Sequence, residues 1–390
     1  MTPAARVAAA IGILDQVLDG AAGERILTTW ARQNRYAGSK DRAAIRDHVF
    51  DAIRCQQSYG ALGHAQTGRG MMIGALRAAG QDPETFFTGE GYAPPALSPQ
   101  EAAPAPQLAD LPETTRLDCP PWLAPRLRSA LGDDFAPVMT LLRTRAPVFV
   151  RANLARGGRD AALQALSRDE IGARAHPLSP TAIEITANPR KVNTSSAFVD
   201  GWVELQDAAS QAVVDVLPTP AGARVLDYCA GGGGKALAIA ARGDVNVFAH
   251  DINPDRMKDI AIRAQRAGVS ISQLDGGDLD AHAPFDLVLA DAPCSGSGSW
   301  RRAPQGKWAL TEERLHELCA IQGEILDEIQ GLVGKDGVLA YATCSLLECE
   351  NTAQIKGFLD RHPQWRLLEE RQFTPLDGGD GFYIATLKRA

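Results

Sequence analysis

The chain has 390 residues, 45% of them hydrophobic, and a formal charge of −7; that length predicts two or three domains, each able to bury a core. No apolar run approaches the roughly 20 residues that cross a bilayer, and Asp15 and Asp19 interrupt an amphipathic N-terminal pattern, so a membrane protein is excluded and a cytoplasmic one expected. Seven cysteines scattered from Cys55 to Cys349 match neither a disulfide framework nor a zinc knuckle, so reduced thiols and no metal are expected.

Val7, Ile11, Leu14 and Leu18 recur at helical spacing, and residues 24–54 continue as a charged amphipathic pattern with seven Lys or Arg against four acids. Residues 1–80 therefore predict a helical domain. Residues 81–121 hold nine prolines and little periodicity, the signature of a linker or a long extended excursion. Residues 122–206 predict a small α+β domain, with helix to about 143, strands at 148–154, 171–175 and 182–186, and a helix at 159–166. Its start is basic: Arg143, Arg145, Arg151, Arg156 and Arg159 occur with no acid among residues 143–159. Arg301, Arg302 and Lys307 form a second cluster. Local patches of this kind outweigh the acidic total when a polyanionic partner is considered.

From residue 207 to 390, short apolar runs alternate with helical stretches, which predicts an α/β, doubly wound, Rossmann-like parallel sheet. Strands are expected at 224–227, 245–250, 270–274, 285–290, 337–342 and 382–387, and helices at 234–242, 254–267, 311–333 and 349–361. The first strand ends in Asp227 and runs into Cys229, Ala230, Gly231, Gly232, Gly233, Gly234 and Lys235. Four glycines let a ligand approach the backbone, and the helix start offers N–H groups to an anionic group. A phosphate-cradling P-loop is excluded because its first glycine and its hydroxyl residue are Cys229 and Ala236 here. A spaced dinucleotide fingerprint is poorly matched, although Asp251, 20 or so residues on, suits ribose hydroxyls in either case. S-adenosylmethionine remains, with its carboxylate at the loop, its ribose at Asp251 and its adenine near Asp278.

Two further motifs, DAPCSGSG at 291–298 and YATCS at 341–345, each place a cysteine just past an expected strand. Neighbouring strands end roughly 5 Å apart, so Cys294 and Cys344 are expected to face one small molecule at the carboxyl edge of the sheet. Pro293, Gly296 and Gly298 let the chain turn sharply there. Cys55, Cys119, Cys319 and Cys349 are expected to be structural.

Taken in order, QDAASQ at 206–211, DYCAGGGGK at 227–235, DINPDR at 251–256, DAPCSGSGSWRRAP at 291–304 and ATCSLLECEN at 342–351 resemble the Sun/RsmB-type, Nop2-related RNA 5-methylcytosine methyltransferases. Residues 148–205 resemble that family's small RNA-contacting domain, and AGSKDRAAIRDHVFDAIR at 37–54 resembles the NusB-like domain of members that modify small-subunit ribosomal RNA. The chain departs from the family loop at Gly231-Gly232, where Ala-Pro is common, and at Ala236, where Thr is common.

The resemblance implies methylation of carbon 5 of a cytidine in RNA, ribosomal RNA being favoured over transfer RNA. That carbon is a poor nucleophile until a thiolate adds at carbon 6. Residues alone leave open which cysteine attacks; the resemblance assigns attack to Cys344, product release to Cys294, and contact with the ring near nitrogen 3 to Asp291. Asp291 also borders the cofactor, as does Arg256 of DINPDR. Lys235 is a candidate cation beside a thiolate. An attacked base must be unstacked, and Arg151, Arg156, Arg159, Arg301 and Arg302 are expected to bind the phosphates around it. Two other readings compete: an RNA-binding assembly factor that has lost catalysis, and a nicotinamide-dependent oxidoreductase, which leaves the cysteine pair unexplained.

Overall fold

The computed structural model describes residues 1–390. Contacts divide the chain into two units, Met1–Arg145 with Trp300–Ala309, and Ala146–Ser299 with Leu310–Ala390.

The first unit is helical, with helices Pro3–Leu18, Gly23–Gln33, Ser39–Arg54, Gln56–Leu62 and Gly68–Ala78. The Thr2 hydroxyl accepts the Ala5 N–H at 3.2 Å and Pro3 stands in the first turn, which starts the first helix there. Its buried Val7, Ala10, Leu14 and Val17 form one apolar stripe against Ile45, Val49, Ile53, Met72 and Ile73. Residues 81–121 follow an extended path with single turns at Pro83–Thr85, Pro99–Ala102, Leu108–Asp110 and Glu113–Arg116. The path is fastened to the helices. Phe87 lies in their core, Arg69 pairs with Glu101 at 2.6 Å, and Arg77 donates to the Ala103 carbonyl at 3.1 Å. Helices Ala124–Leu131 and Phe135–Leu142 also fall in this unit by their contacts.

The second unit carries eleven strands. β1 (Val148–Ala152), β2 (Gly172–Ala175), β3 (Ala182–Ala187) and β4 (Val203–Leu205) form an antiparallel sheet in the order β2-β3-β1-β4. The second sheet comprises β5 (Ala223–Asp227), β6 (Val245–Ala249), β7 (Ser272–Gln273), β8 (Phe285–Asp291), β9 (Val333–Thr343), β10 (Trp365–Phe373) and β11 (Phe382–Arg389), in the order β10-β11-β9-β8-β5-β6-β7. β5 to β9 are parallel, while β10 and β11 close one edge antiparallel. Every residue of β8 up to Ala290 except Asp286 is buried, because layers of helix and loop cover both faces of a central parallel strand. From β5 the chain builds outward through β6 and β7, then returns to add β8 on the other side. The β5/β8 boundary is thus the switch point, outside whose carboxyl ends open sheets bind ligands.

Candidate active site

β8 and β9 pair in register, Asp291 opposite Ala342, so the two cysteine motifs leave adjacent strands side by side. Cys294 Sγ lies 3.4 Å from Cys344 Sγ, and both are half-buried. The hydrogen bond to Cys344, burial and the nearby Glu350 together raise the Cys294 thiol well above its ordinary pKa.

A fully buried carboxylate that the sequence reading passed over joins the two loops. Glu350 accepts the Ser295 N–H at 2.8 Å, the Ser295 and Ser345 hydroxyls at 2.5 Å each, and the Gln322 amide at 3.1 Å. Asn351 beside it accepts the Thr343 hydroxyl at 2.6 Å and donates to the Ser345 carbonyl at 3.0 Å. Gly298 donates to the Cys344 carbonyl at 3.0 Å and accepts the Gly381 N–H at 2.9 Å. A Cβ at position 298 would collide with the Gly381 backbone, so the turn requires glycine there.

At the end of β5, Asp227 is buried. Its Oδ2 accepts the Ala236 N–H at 2.9 Å, and its Oδ1 has no partner. Burial first, and then the charge of Asp291, push its carboxyl up to about 7. Gly231 and Gly233 take φ of +51° and +78°, in the left-handed region that favours glycine. Asp251 receives the Gly231 N–H at 2.9 Å and pairs with Arg256 at 3.0 Å. Cys229 is half-buried, and burial raises its thiol pKa. Lys235 Nζ donates to Asp291 Oδ2 at 2.5 Å and lies 4.9 Å from the centre of the Phe382 ring. Asp278 is exposed on the turn after β7 and shares no hydrogen bond with the loop.

Two of the five arginines expected to meet phosphates are structural instead. Arg151 is buried, donates to the Gly234 carbonyl at 2.7 Å and to the Gln206 side chain, and is pushed down to about 10 by burial. Arg301 is buried in the helical unit, donating to the Thr144 hydroxyl at 3.2 Å and the Arg145 carbonyl at 3.1 Å. Both guanidiniums donate to internal acceptors. Arg156 and Arg159 are half-buried and touch the carbonyls of Arg266 and of His176 and Ser179, and Arg302 is exposed.

The family model described as 16S rRNA methyltransferase RsmB/F matches residues 214–388, and the ferredoxin-like domain model of the same family matches 119–193. The chain belongs to the RsmB/F methyltransferase family. It is 35% identical over 286 residues to ribosomal RNA small subunit methyltransferase B of Serratia proteamaculans, a match covering 69% of this chain and 66% of that relative. The Yersinia pseudotuberculosis protein of the same name is 34% identical over 285 residues, with the same coverage. The matched part thus spans 66% of the length of these curated relatives. Among solved structures, PH0851 aligns over 100% of this chain and 99% of its own with a TM-score of 0.78 at 22% identity. A methyltransferase homologue from Pyrococcus horikoshii aligns over 75% of this chain and 100% of its own, with a TM-score of 0.63 at 23% identity. These likenesses establish the Rossmann-like methyltransferase fold.

Proposed function

We propose that this chain methylates carbon 5 of a cytidine in RNA, small-subunit ribosomal RNA foremost, with S-adenosylmethionine as donor and Cys344 as nucleophile. The observation that carries this reading is the pair of sulfurs 3.4 Å apart at the ends of adjacent strands, with Asp291 on the same edge. Supporting it, the relatives are named ribosomal RNA methyltransferases. The loop fits the cofactor: Asp227 Oδ1 is a buried acceptor without a donor, suited to an ammonium group, and the left-handed glycines at 231 and 233 keep side chains off the backbone. Asp227, the 229–235 loop, Asp251 and Arg256 would hold the cofactor, with Asp278 toward its adenine. Bound there, it supplies an electrophilic methyl group.

The chain's own residues do the rest. The family resemblance assigns attack to Cys344, and Cys294, whose thiol pKa is raised by the hydrogen bond to Cys344 and by burial, assists release of the product. The Cys344 thiolate bonds to carbon 6 while the 5,6 double-bond electrons shift toward the ring, where Asp291 supports protonation near nitrogen 3. Lys235 occupies one Asp291 oxygen and leaves the other for the base. Carbon 5 then takes the methyl group, its proton passes to solvent water as the 5,6 double bond re-forms, and the carbon 6–sulfur bond breaks so that Cys344 departs as thiolate with the aid of Cys294. Arg156, Arg159 and Arg302 would contact phosphates around the base.

Cys294→Ala should therefore stall turnover after methyl transfer and leave a covalent protein–RNA band on a denaturing gel. The band should vanish when Cys344→Ala is added. A C294A enzyme that turns over normally, or a band that survives loss of Cys344, would reverse or remove these roles.

A further inference from the structure

The four-glycine loop has no stiff residue of its own, yet three arginines hold it from outside. Arg263 donates to the Gly232 carbonyl and Arg151 to the Gly234 carbonyl at 2.7 Å. Arg256, paired with Asp251 at 3.0 Å, places its guanidinium 3.1 Å from where a Cβ on Gly231 would stand. A Cβ on Gly232 would lie 2.9 Å from the Arg263 guanidinium. A side chain at 232 would therefore require the Arg263 guanidinium to shift from its place on the Gly232 carbonyl.

Two of the arginines are set by the antiparallel sheet. Glu204 on β4 pairs with Arg263 at 3.4 Å and with Arg266 at 2.6 Å. Arg151 stands on β1, directly opposite Glu204 in the β1–β4 register, and also donates to Gln206. Arg266 in turn stacks on Phe198, its guanidinium 4.0 Å from the ring centre. Cationic donors on backbone carbonyls make strong, directional bonds, and here they anchor a segment whose glycines are otherwise free to rearrange.

We infer that Arg263 and Arg151 are positioning residues that order the glycine loop for the cofactor, and that Glu204 makes this order depend on the β1–β4 sheet. The inference rests on the cofactor reading above only for its consequence, since loop order itself is measurable without ligand. Neither arginine touches the reacting atoms.

The test compares Arg263→Met, Gly232→Ala and their combination in the full chain. Hydrogen exchange without ligand should show the amides of residues 231–235 exchanging faster by about tenfold in both single variants. Calorimetry with S-adenosylmethionine should show binding about three- to tenfold weaker in each, the loss expected for one net hydrogen bond. The double variant should be no worse than either single one, because both remove the same contact. Arg263 is partly exposed, so melting temperatures should barely move, and exchange elsewhere should stay as in the wild type. Unchanged exchange in the 231–235 segment, or additive losses in the double variant, would overturn the clamp. A wild-type protein that gives no heat with S-adenosylmethionine, while R263M still loosens the loop, would leave the clamp standing and remove the cofactor reading instead.

Discussion

At the scale of single residues, the groups that matter most to the proposed chemistry are those whose surroundings conflict with their ordinary charge. Asp227 is held up to about 7 by burial and by Asp291. An ammonium-bearing ligand at its unpartnered oxygen requires the carboxylate form, so binding must expel the proton that Asp227 holds at low pH. Affinity for S-adenosylmethionine should therefore strengthen by about tenfold from about pH 5.5 to about pH 7, a window in which an α-amino group stays charged. Asp227→Asn should flatten that dependence in calorimetric titrations; an equally steep profile in the variant would detach Asp227 from the ligand. Asp227 was visible in the sequence as the end of a strand, but nothing in one dimension marks a carboxylate whose second oxygen lacks a donor. The arginines failed in the opposite direction. Arg151 and Arg301 lie in acid-poor clusters that read as solvent-facing, yet their acceptors are main-chain carbonyls at Gly234 and Arg145, and a carbonyl has no sequence signature.

Among the secondary-structure elements, the parallel strands were the most legible because each is a short apolar run between turn residues, and adjacency of β8 and β9 brings Cys294 and Cys344 together as expected. β10 was missed. Its sequence, WRLLEERQF, alternates poorly and is mostly exposed, as an edge strand paired on one side only tends to be. β4 has only three residues, too few for periodicity to register. The turns after β8 and β9 owe their shape to Glu350, which receives four hydrogen bonds in a site without water contact. Glu350→Gln keeps the volume but presents an amide to donors already in place. It should lower stability by about 1–3 kcal/mol in urea melts, the cost of leaving buried donors unmatched. Single-turnover methylation should slow by more than about tenfold as the sulfurs lose their relative placement, while S-adenosylmethionine affinity stays at the wild-type value. Loss of affinity in step with rate would mean that Glu350 supports the whole sheet edge instead of the cysteine turns.

For the molecule as a whole, the chain crosses between its units at Trp300 and returns after Ala309, so ten residues that follow the first cysteine motif fold as part of the helical unit. They are built in deeply. Gln305 accepts the Gly23 N–H at 3.0 Å and donates to the Ala21 carbonyl at 2.8 Å. The Trp308 indole donates to the Ile53 carbonyl at 2.7 Å, and Lys307 Nζ donates to the Arg54 carbonyl at 3.0 Å. Lys307 is buried, and desolvation outweighs the attraction of Asp118, Cys55 and Cys119, pushing it down to about 8. Unfolded, it would titrate near 10.4. Between those values the unfolded chain binds the proton and the folded chain does not, so this residue makes stability rise with pH across about 8 to 10.4 and adds nothing to the slope below. The full contribution is up to about 3 kcal/mol. Cys55 and Cys119, each raised from 9.0 to about 11, act in the opposite sense over most of that window, since the folded chain keeps protons that free thiols release. Comparing wild type with Lys307→Met across the window cancels the cysteines to first order. Wild-type stability relative to K307M should climb with pH by a few kcal/mol in chemical melts of the helical transition. A difference that stays flat from about pH 8 to about pH 10 would show that Lys307 keeps its charge in the folded protein through contacts with Asp118 strong enough to offset its burial.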